Sequence, residues 1–336
     1  MRVAVIGAGV AGLACATEFA ERGAAVEVFE RGAILGERSA SRLAGAMLAP
    51  WCELESAEPT VARLGAGAAD WWAARVPGVA RQGSLVLAPP RDQAELHRFA
   101  RRTAHFEWID ANGIAGLEPD LAGRFRAGLL FAEEAHLCPC CAMKALARRL
   151  EGMGVEFHFG QNGRNPPGGF HVTIDCRGFA ARDLVPELRG VRGEMLLLRS
   201  PEITLSRPVR LLHPRIPVYV VPRGDGLYML GATMVETDGE GPVTARSVME
   251  LLNAAYSLHP TFGEAEIVET AAGVRPAFAD NLPFVHRQGA TITVNGLYRH
   301  GFLLAPAMAR QAAGLIFNRT QSSERANEAD HQRQSV

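Results

Sequence analysis

The sequence predicts an α/β protein built around two kinds of sheet. Three observations carry this. The first thirty residues form a complete strand–helix–strand unit, the texture changes from "GVRGEMLLLRS" to about residue 270 with a segment that alternates like an antiparallel hairpin, and the final apolar segments return to a buried strand feeding a helix. At 336 residues the chain exceeds one small core and suits two lobes or one large α/β unit.

Taken in order, "RVAVIG" is a short β-branched run of the kind buried in a parallel sheet. "VAGLACATEFAERG" reads as a helix with one apolar stripe and Gly23 as its stop, and "AVEVFE" as a second strand ending in Glu30. "RGAILGERSASRLAGAMLAPWCE" is rich in small residues and reads as a loop leading into a helix, packed closely by something else. "DWWAARVPG" closes a helix, "QGSLVLAP" is a strand, residues 92–104 are helical and "GIAGLEPDL" is a short turn region. The stretch from "AGLLF" to "FHFG" gives strand, loop, helix and strand, and "FHVTIDCRGFAA" is a strand ending at a glycine turn. "PVYVVPRGDGLYMLGATM" reads as a hairpin about a Gly-Asp-Gly turn. "SVMELLNAAYSLHP" is a helix, "ATITVNG" a buried strand and "FLLAPAMARQAAGLIFN" the last helix. Residues 319–336 lack apolar spacing and are expected to be a disordered tail. No internal repeat is present.

Composition narrows the function classes. With 48% hydrophobic and 21% charged residues the chain reads as an ordinary globular protein. A formal net charge of −1 and the lack of a dense Lys/Arg run argue against nucleic acid as a partner. Lys144 is the only lysine, which removes Schiff-base chemistry unless that residue is itself in the site. No apolar stretch is long enough to span a membrane. The first twenty residues could pass for a secretion signal, but three glycines at fixed spacing and the polar continuation through Glu18, Glu21 and Arg22 argue against it. "CPCC", with Cys138, Cys140 and Cys141, looks like a metal site, yet no second ligand pair stands nearby. The expectation is therefore no metal, reduced thiols and a cytoplasmic location.

Gly7, Gly9 and Gly12 form G-x-G-x-x-G between the first strand and helix, and Glu30 follows eighteen residues after the last glycine. Gly7 permits the tight turn, Gly9 lets backbone approach a pyrophosphate, and Gly12 lets helix and strand pack closely. The helix start offers free N–H groups and a positive dipole end to phosphates, and Glu30 would accept from ribose hydroxyls. This Rossmann-type pattern indicates a dinucleotide without separating FAD from NAD. A second strand feeds a second helix through glycines in "NGLYRHGFLLAPA", and such a helix end suits the negative charge of a reduced flavin. Arg275, followed by proline on what reads as the irregular segment "AAGVRPAFADNLPFV", serves equally as a structural arginine or as a bidentate clamp on a substrate carboxylate. Tyr219 could aim its phenol at the same group or simply pack, and Met234 could line a small pocket or sit in a core.

Together the N-terminal "GAGVAG" with Glu30, "AGAMLAP", "GVRGEMLLL", "VYVVPRGDGLYMLGATM", "AAGVRPAFADNLPFV" and "NGLYRHGFLLAPA" resemble the D-amino-acid oxidase family of FAD enzymes, and within it the glycine oxidases of thiamine biosynthesis. The resemblance runs from residue 1 to about 318. It implies a Rossmann-type FAD-binding lobe from residues 1–76, 135–190 and 272–318, and a substrate lobe with a largely antiparallel sheet from 77–134 and 191–271. It also implies an oxidase that moves a hydride from a small amino acid, glycine before sarcosine or a D-amino acid, to the flavin. The products would be the imino acid and, with dioxygen, hydrogen peroxide. A thiazole-forming enzyme is the implied partner, and a homo-oligomer is open. The rivals are a dehydrogenase on the same fold, and an NAD-dependent or non-catalytic dinucleotide-binding protein.

By position in their motifs, Arg275 would hold the carboxylate, Tyr219 would assist, and Met47 and Met234 would border the pocket. Arg299, His300, Gly301, Phe302 and Leu303 would surround the flavin ring, with Arg299 and Arg275 nearest the chemistry. Gly7, Gly9, Val10, Ala11, Gly12, Glu30, Arg31, Ser39, Ala46, Met47 and Gly178 would bind the rest of the cofactor. No cysteine follows Cys176, so a cysteinyl–flavin bond from the C-terminal lobe is excluded and the FAD is expected to be non-covalent. The chain departs from the family pattern at "AGAM", where relatives read A-G-M, and at Pro217, near the place where relatives carry a histidine.

Overall fold

The structure is a computed structural model that describes residues 1–161, 168–212 and 218–333, with the backbone alone from 318 onward. Pro217 lies outside the described residues.

Two large sheets organise the chain. The first runs, edge to edge, Phe284–Gln288, Thr291–Asn295, Val172–Asp175, Arg2–Ile6, Ala25–Glu30 and Glu156–Phe159. All neighbours are parallel except the edge strand Phe284–Gln288. Val3, Ala4 and Val5 at its centre are fully buried, which is why that strand reads as continuous apolar sequence rather than alternation. Helix Val10–Ala20 packs against the last helix, whose Ala305, Ala309, Ala312 and Ala313 permit close approach. Helix Pro139–Gly152 joins the same core.

The second sheet runs Val235–Glu236, Arg189–Arg199, Leu227–Gly231, Val218–Gly224, Val209–Leu211, Ser84–Leu87, Ala127–Phe131 and Glu107–Asp110, with Glu266–Ala277 pairing along the other side of Arg189–Arg199. It is antiparallel except between Val209–Leu211 and Ser84–Leu87. The expected hairpin is present, and Asp225 (φ 51°) and Gly226 (φ 68°) supply the two positive φ values of a primed turn. Helix Ala245–Leu258 covers one face with Leu251, Ala254, Ala255 and Leu258.

Three details differ from the sequence expectations. The "GIAGLEPDL" region begins as helix Ala111–Leu117, capped by Asp110, whose carboxylate accepts the Gly113 N–H at 2.8 Å. Arg275 lies on strand Glu266–Ala277, opposite Val191, and not on an irregular segment: the following proline is tolerated because this strand pairs with Arg189–Arg199 on one side only. The last helix runs as backbone from Gly301 to Arg333, through most of the expected tail 319–336. Extending an existing helix needs no new nucleus, and Ala, Glu, Arg and Gln are good helix formers.

Candidate active site

A cavity of about 800 Å³ lies between the two sheets. Its walls come from the Gly7–Ala11 turn, the loop 37–47, the facing strands Arg189–Arg199 and Glu266–Ala277, and the segment 294–303. Every expected site residue lines it except Gly12 and Met234.

The glycine turn is built to sequence. Gly7 takes φ +96°, and a Cβ there would meet Cys176 O at 2.7 Å. A Cβ on Gly12 would stand 1.8 Å from Gly7 O, so Gly12 underlies the turn and does not face the cavity. Gly9 at the N-cap contributes no side-chain bond to the helix start, so backbone there can approach an anion. The Val10 N–H donates to Ser41 Oγ at 3.1 Å, and the Ser41 N–H donates to Ser39 Oγ at 3.1 Å, which binds the loop to the helix start. Buried Glu30 accepts the Ala8 and Gly32 N–H groups, each at 2.8 Å, so its carboxylate is fixed at the end of the second strand with lone pairs to spare.

The second helix start meets the first: a Cβ on Gly301 would lie 3.2 Å from Val10 Cγ1. Asn295 Nδ2 donates to Gly178 O at 2.9 Å, and the Tyr298 N–H donates to Pro276 O at 3.0 Å, which anchors the turn. Pro306 brings no N–H to this helix, and Phe302 O, four residues earlier, instead accepts the Trp72 indole N–H at 2.9 Å. Arg223 holds the opposing loop, donating to Leu137 O at 2.8 Å, Ala44 O at 3.0 Å and Gly45 O at 2.9 Å.

The cations of the site differ in how they are compensated. Arg275 folds over Gly193, where a Cβ would lie 2.0 Å from its Nη2, and Nη1 donates to Thr233 O at 3.2 Å. Among the described residues no carboxylate pairs with it, and burial pulls its pKa below the ordinary arginine value. Arg299 is paired instead: Nη2 lies 3.3 Å from Glu53 Oε2, while Nη1 contacts Met234 Sδ at 3.5 Å. Glu53 also binds Arg210 and accepts from His300 Nε2 at 2.8 Å. Burial alone would push the Glu53 carboxyl up; Arg299, Arg210 and His300 together hold it well below the usual carboxylate range. Burial lowers the His300 pKa, so the ring is neutral with its proton on Nε2 toward Glu53.

Tyr219 packs on Gly45, where a Cβ would be 3.0 Å from its Cε2, and with Met47, Met195 and Met229 forms an apolar wall. Met234 sits at the rim of the cavity: it is 52% exposed, its sulfur held 3.6 Å from the Tyr298 hydroxyl. Glu53, Arg210, Arg223 and Ser41 were not among the expected site residues. Their partners lie up to 247 residues away, and no local spacing marks them.

These residues fit a bound dinucleotide: a glycine cradle that any Cβ would fill, a free helix start, a fixed carboxylate beyond it and a second helix start alongside. Among the described residues, the one group with metal-ligand spacing is Glu27, Glu156 and His158 on the first sheet, where Arg2 already pairs with Glu27 at 2.8 Å. No helix of the described residues is long and apolar enough to cross a membrane.

Comparison with known proteins agrees with the cradle. The chain is 55% identical, over 97% of its length and 99% of the relative's, to a Rhizobium etli protein described as "Putative thiamine biosynthesis oxidoreductase ThiO". It is 27% identical to the glycine oxidase of Geobacillus kaustophilus, covering 94% of this chain and 92% of that one. The crystal structure of glycine oxidase from Geobacillus kaustophilus superposes with a TM-score of 0.79 at 24% identity, covering 94% of this chain and 95% of that one. Residues 2–315 match the model of the FAD dependent oxidoreductases, and the chain belongs to that family, with FAD as its cofactor.

Proposed function

We propose that the protein oxidises a small amino acid, glycine first, to its imino acid with release of hydrogen peroxide, and that the product serves thiamine biosynthesis. The names of its relatives support this reading, and one observation on the chain itself carries it: Arg275 is a cavity-facing guanidinium without a carboxylate partner among the described residues. A buried unpaired cation is costly, and a ligand's carboxylate relieves that cost. Arg299, already ion-paired with Glu53, competes less for the same anion.

In this reading Arg275 grips the substrate carboxylate through two N–H donors, and Tyr219 fixes its orientation. Met47, Met195 and Tyr219 keep water and larger side chains from the α-carbon. Bound FAD supplies the two-electron acceptor for the α C–H bond. Gly7, Gly9, Val10, Ala11, Glu30, Arg31, Ser39, Ala46 and Gly178 would hold its nucleotide end and pyrophosphate, and residues 299–303 would hold its ring. The lobes follow the two sheets: residues 1–76, 135–190 and 272–318 for the cofactor, 77–134 and 191–271 for the substrate, with strand Glu266–Ala277 carrying Arg275 from the second into the first. Dioxygen would be the final electron acceptor, giving hydrogen peroxide, and a thiazole-forming partner in the cytoplasm would take the imine.

The experiment is an aerobic panel of glycine, sarcosine and D-alanine on the purified yellow protein, read by peroxide release. Glycine should give the highest kcat/KM. Absence of peroxide with all three, or a protein that stays colourless after FAD is added, would end the proposal.

A further inference from the structure

The "CPCC" segment has no part in the function above, and its geometry is specific. Cys138 caps helix Pro139–Gly152, and its Sγ accepts the Cys141 N–H at 3.4 Å. Cys141 is exposed, and Cys138 is partly so. The neighbouring Cys138 side chain, together with burial, pushes the Cys141 thiol up to about 11. The Cys138 sulfur faces the first N–H groups of a fourteen-residue helix, the setting in which a C-x-x-C pair becomes redox-active. Cys140 between them points elsewhere, its thiol donating to Arg42 O at 3.7 Å. The segment also backs the loop that lines the cavity, since the Leu137 N–H donates to Ala46 O at 3.2 Å.

We propose that Cys138 and Cys141 are a dithiol that hydrogen peroxide closes to an intramolecular disulfide beside the cavity-lining loop. The Cys138 thiolate attacks peroxide: an S–O bond forms, the O–O bond breaks and hydroxide leaves, taking up a proton to become water. Cys141 sulfur then attacks Cys138 sulfur. The S–S bond forms, the S–O bond breaks, and hydroxide departs with the Cys141 proton as a second water. Two thiols are thereby oxidised and one peroxide reduced to two waters. The proposal rests on the function above only for an internal source of peroxide; added peroxide tests the pair directly.

The holoenzyme would be exposed to dilute peroxide, quenched, alkylated and digested. The expected result is loss of two alkylatable thiols and a peptide spanning residues 138–141 lighter by two hydrogens, both reversed by dithiothreitol. Cys140→Ser should behave as wild type, whereas Cys138→Ser and Cys141→Ser should each lose the light peptide. Buried Cys15 and Cys176 serve as internal controls and stay reduced. Persistence of both thiols, or a light peptide that survives in Cys141→Ser, overturns the pair whatever the enzyme does with glycine. Closure by added peroxide supports it even where glycine yields none.

Discussion

Glu53 and His300, 247 residues apart in the chain, share a buried hydrogen bond of 2.8 Å from imidazole Nε2 to carboxylate. The bond fixes the ring's tautomer at the residue just before helix Gly301–Arg333. The same carboxylate carries Arg210 from the substrate-side sheet and Arg299 from the rim, so one acid ties three segments of the site together.

Removing that acid leaves Arg210 as an uncompensated buried cation. Glu53→Gln is expected to destabilise the fold by about 3–5 kcal/mol. Adding Arg210→Gln should recover part of the loss, with a coupling on the order of 1 kcal/mol or more in a denaturant double-mutant cycle. Strict additivity of the two changes would show that the pair is not coupled.

The glycine cradle separates folding from cofactor binding. Ala at Gly12 would force a Cβ to 1.8 Å from Gly7 O, and this variant should fail to accumulate as folded protein. Ala at Gly9 meets only Ser39 Oγ, at 3.1 Å, so Gly9→Ala should fold and lose FAD affinity by roughly tenfold or more, as the helix start is shielded. Flavin absorbance of the purified variant measures this, and full retention of FAD would remove Gly9 from the pyrophosphate site.

Arg275→Ala should raise the KM for glycine at least ~tenfold, the loss of a desolvated charge-assisted contact being on the order of 2–5 kcal/mol. Arg275→Lys should fall between, since an ammonium keeps the charge without the planar fork. Steady-state kinetics at saturating oxygen decide it; an unchanged KM takes Arg275 out of the substrate site.

Burial pushes the Glu134 carboxyl from its ordinary 4.5 up to about 7, although it accepts the Cys52 N–H at 2.7 Å. The folded state therefore holds this proton more tightly than the unfolded chain. Its contribution is complete below about pH 4.5 and is lost as pH rises through about 7. Glu134→Gln should leave Tm nearly unchanged at low pH and, near pH 8, stabilise the protein by about 3 kcal/mol relative to wild type. An equal shift in Tm at both pH values would contradict this.

The sequence by itself determined the parts of this protein that depend on near neighbours. Gly7, Gly9, Gly12 and Glu30 lie within one strand–helix–strand unit, so the turn, the open helix start and the fixed carboxylate follow from spacing alone. The hairpin at Asp225–Gly226 and the two textures of sheet were legible for the same reason. Tertiary structure alone decided which charges are compensated. Glu53 meets Arg210 and His300 across 157 and 247 residues, Arg275 is left without an acid among the described residues although Arg299 receives one, and Met234 turns out to the rim. A charge's partner is set by where separate segments cross in space, and strand and helix periodicity says nothing about that crossing.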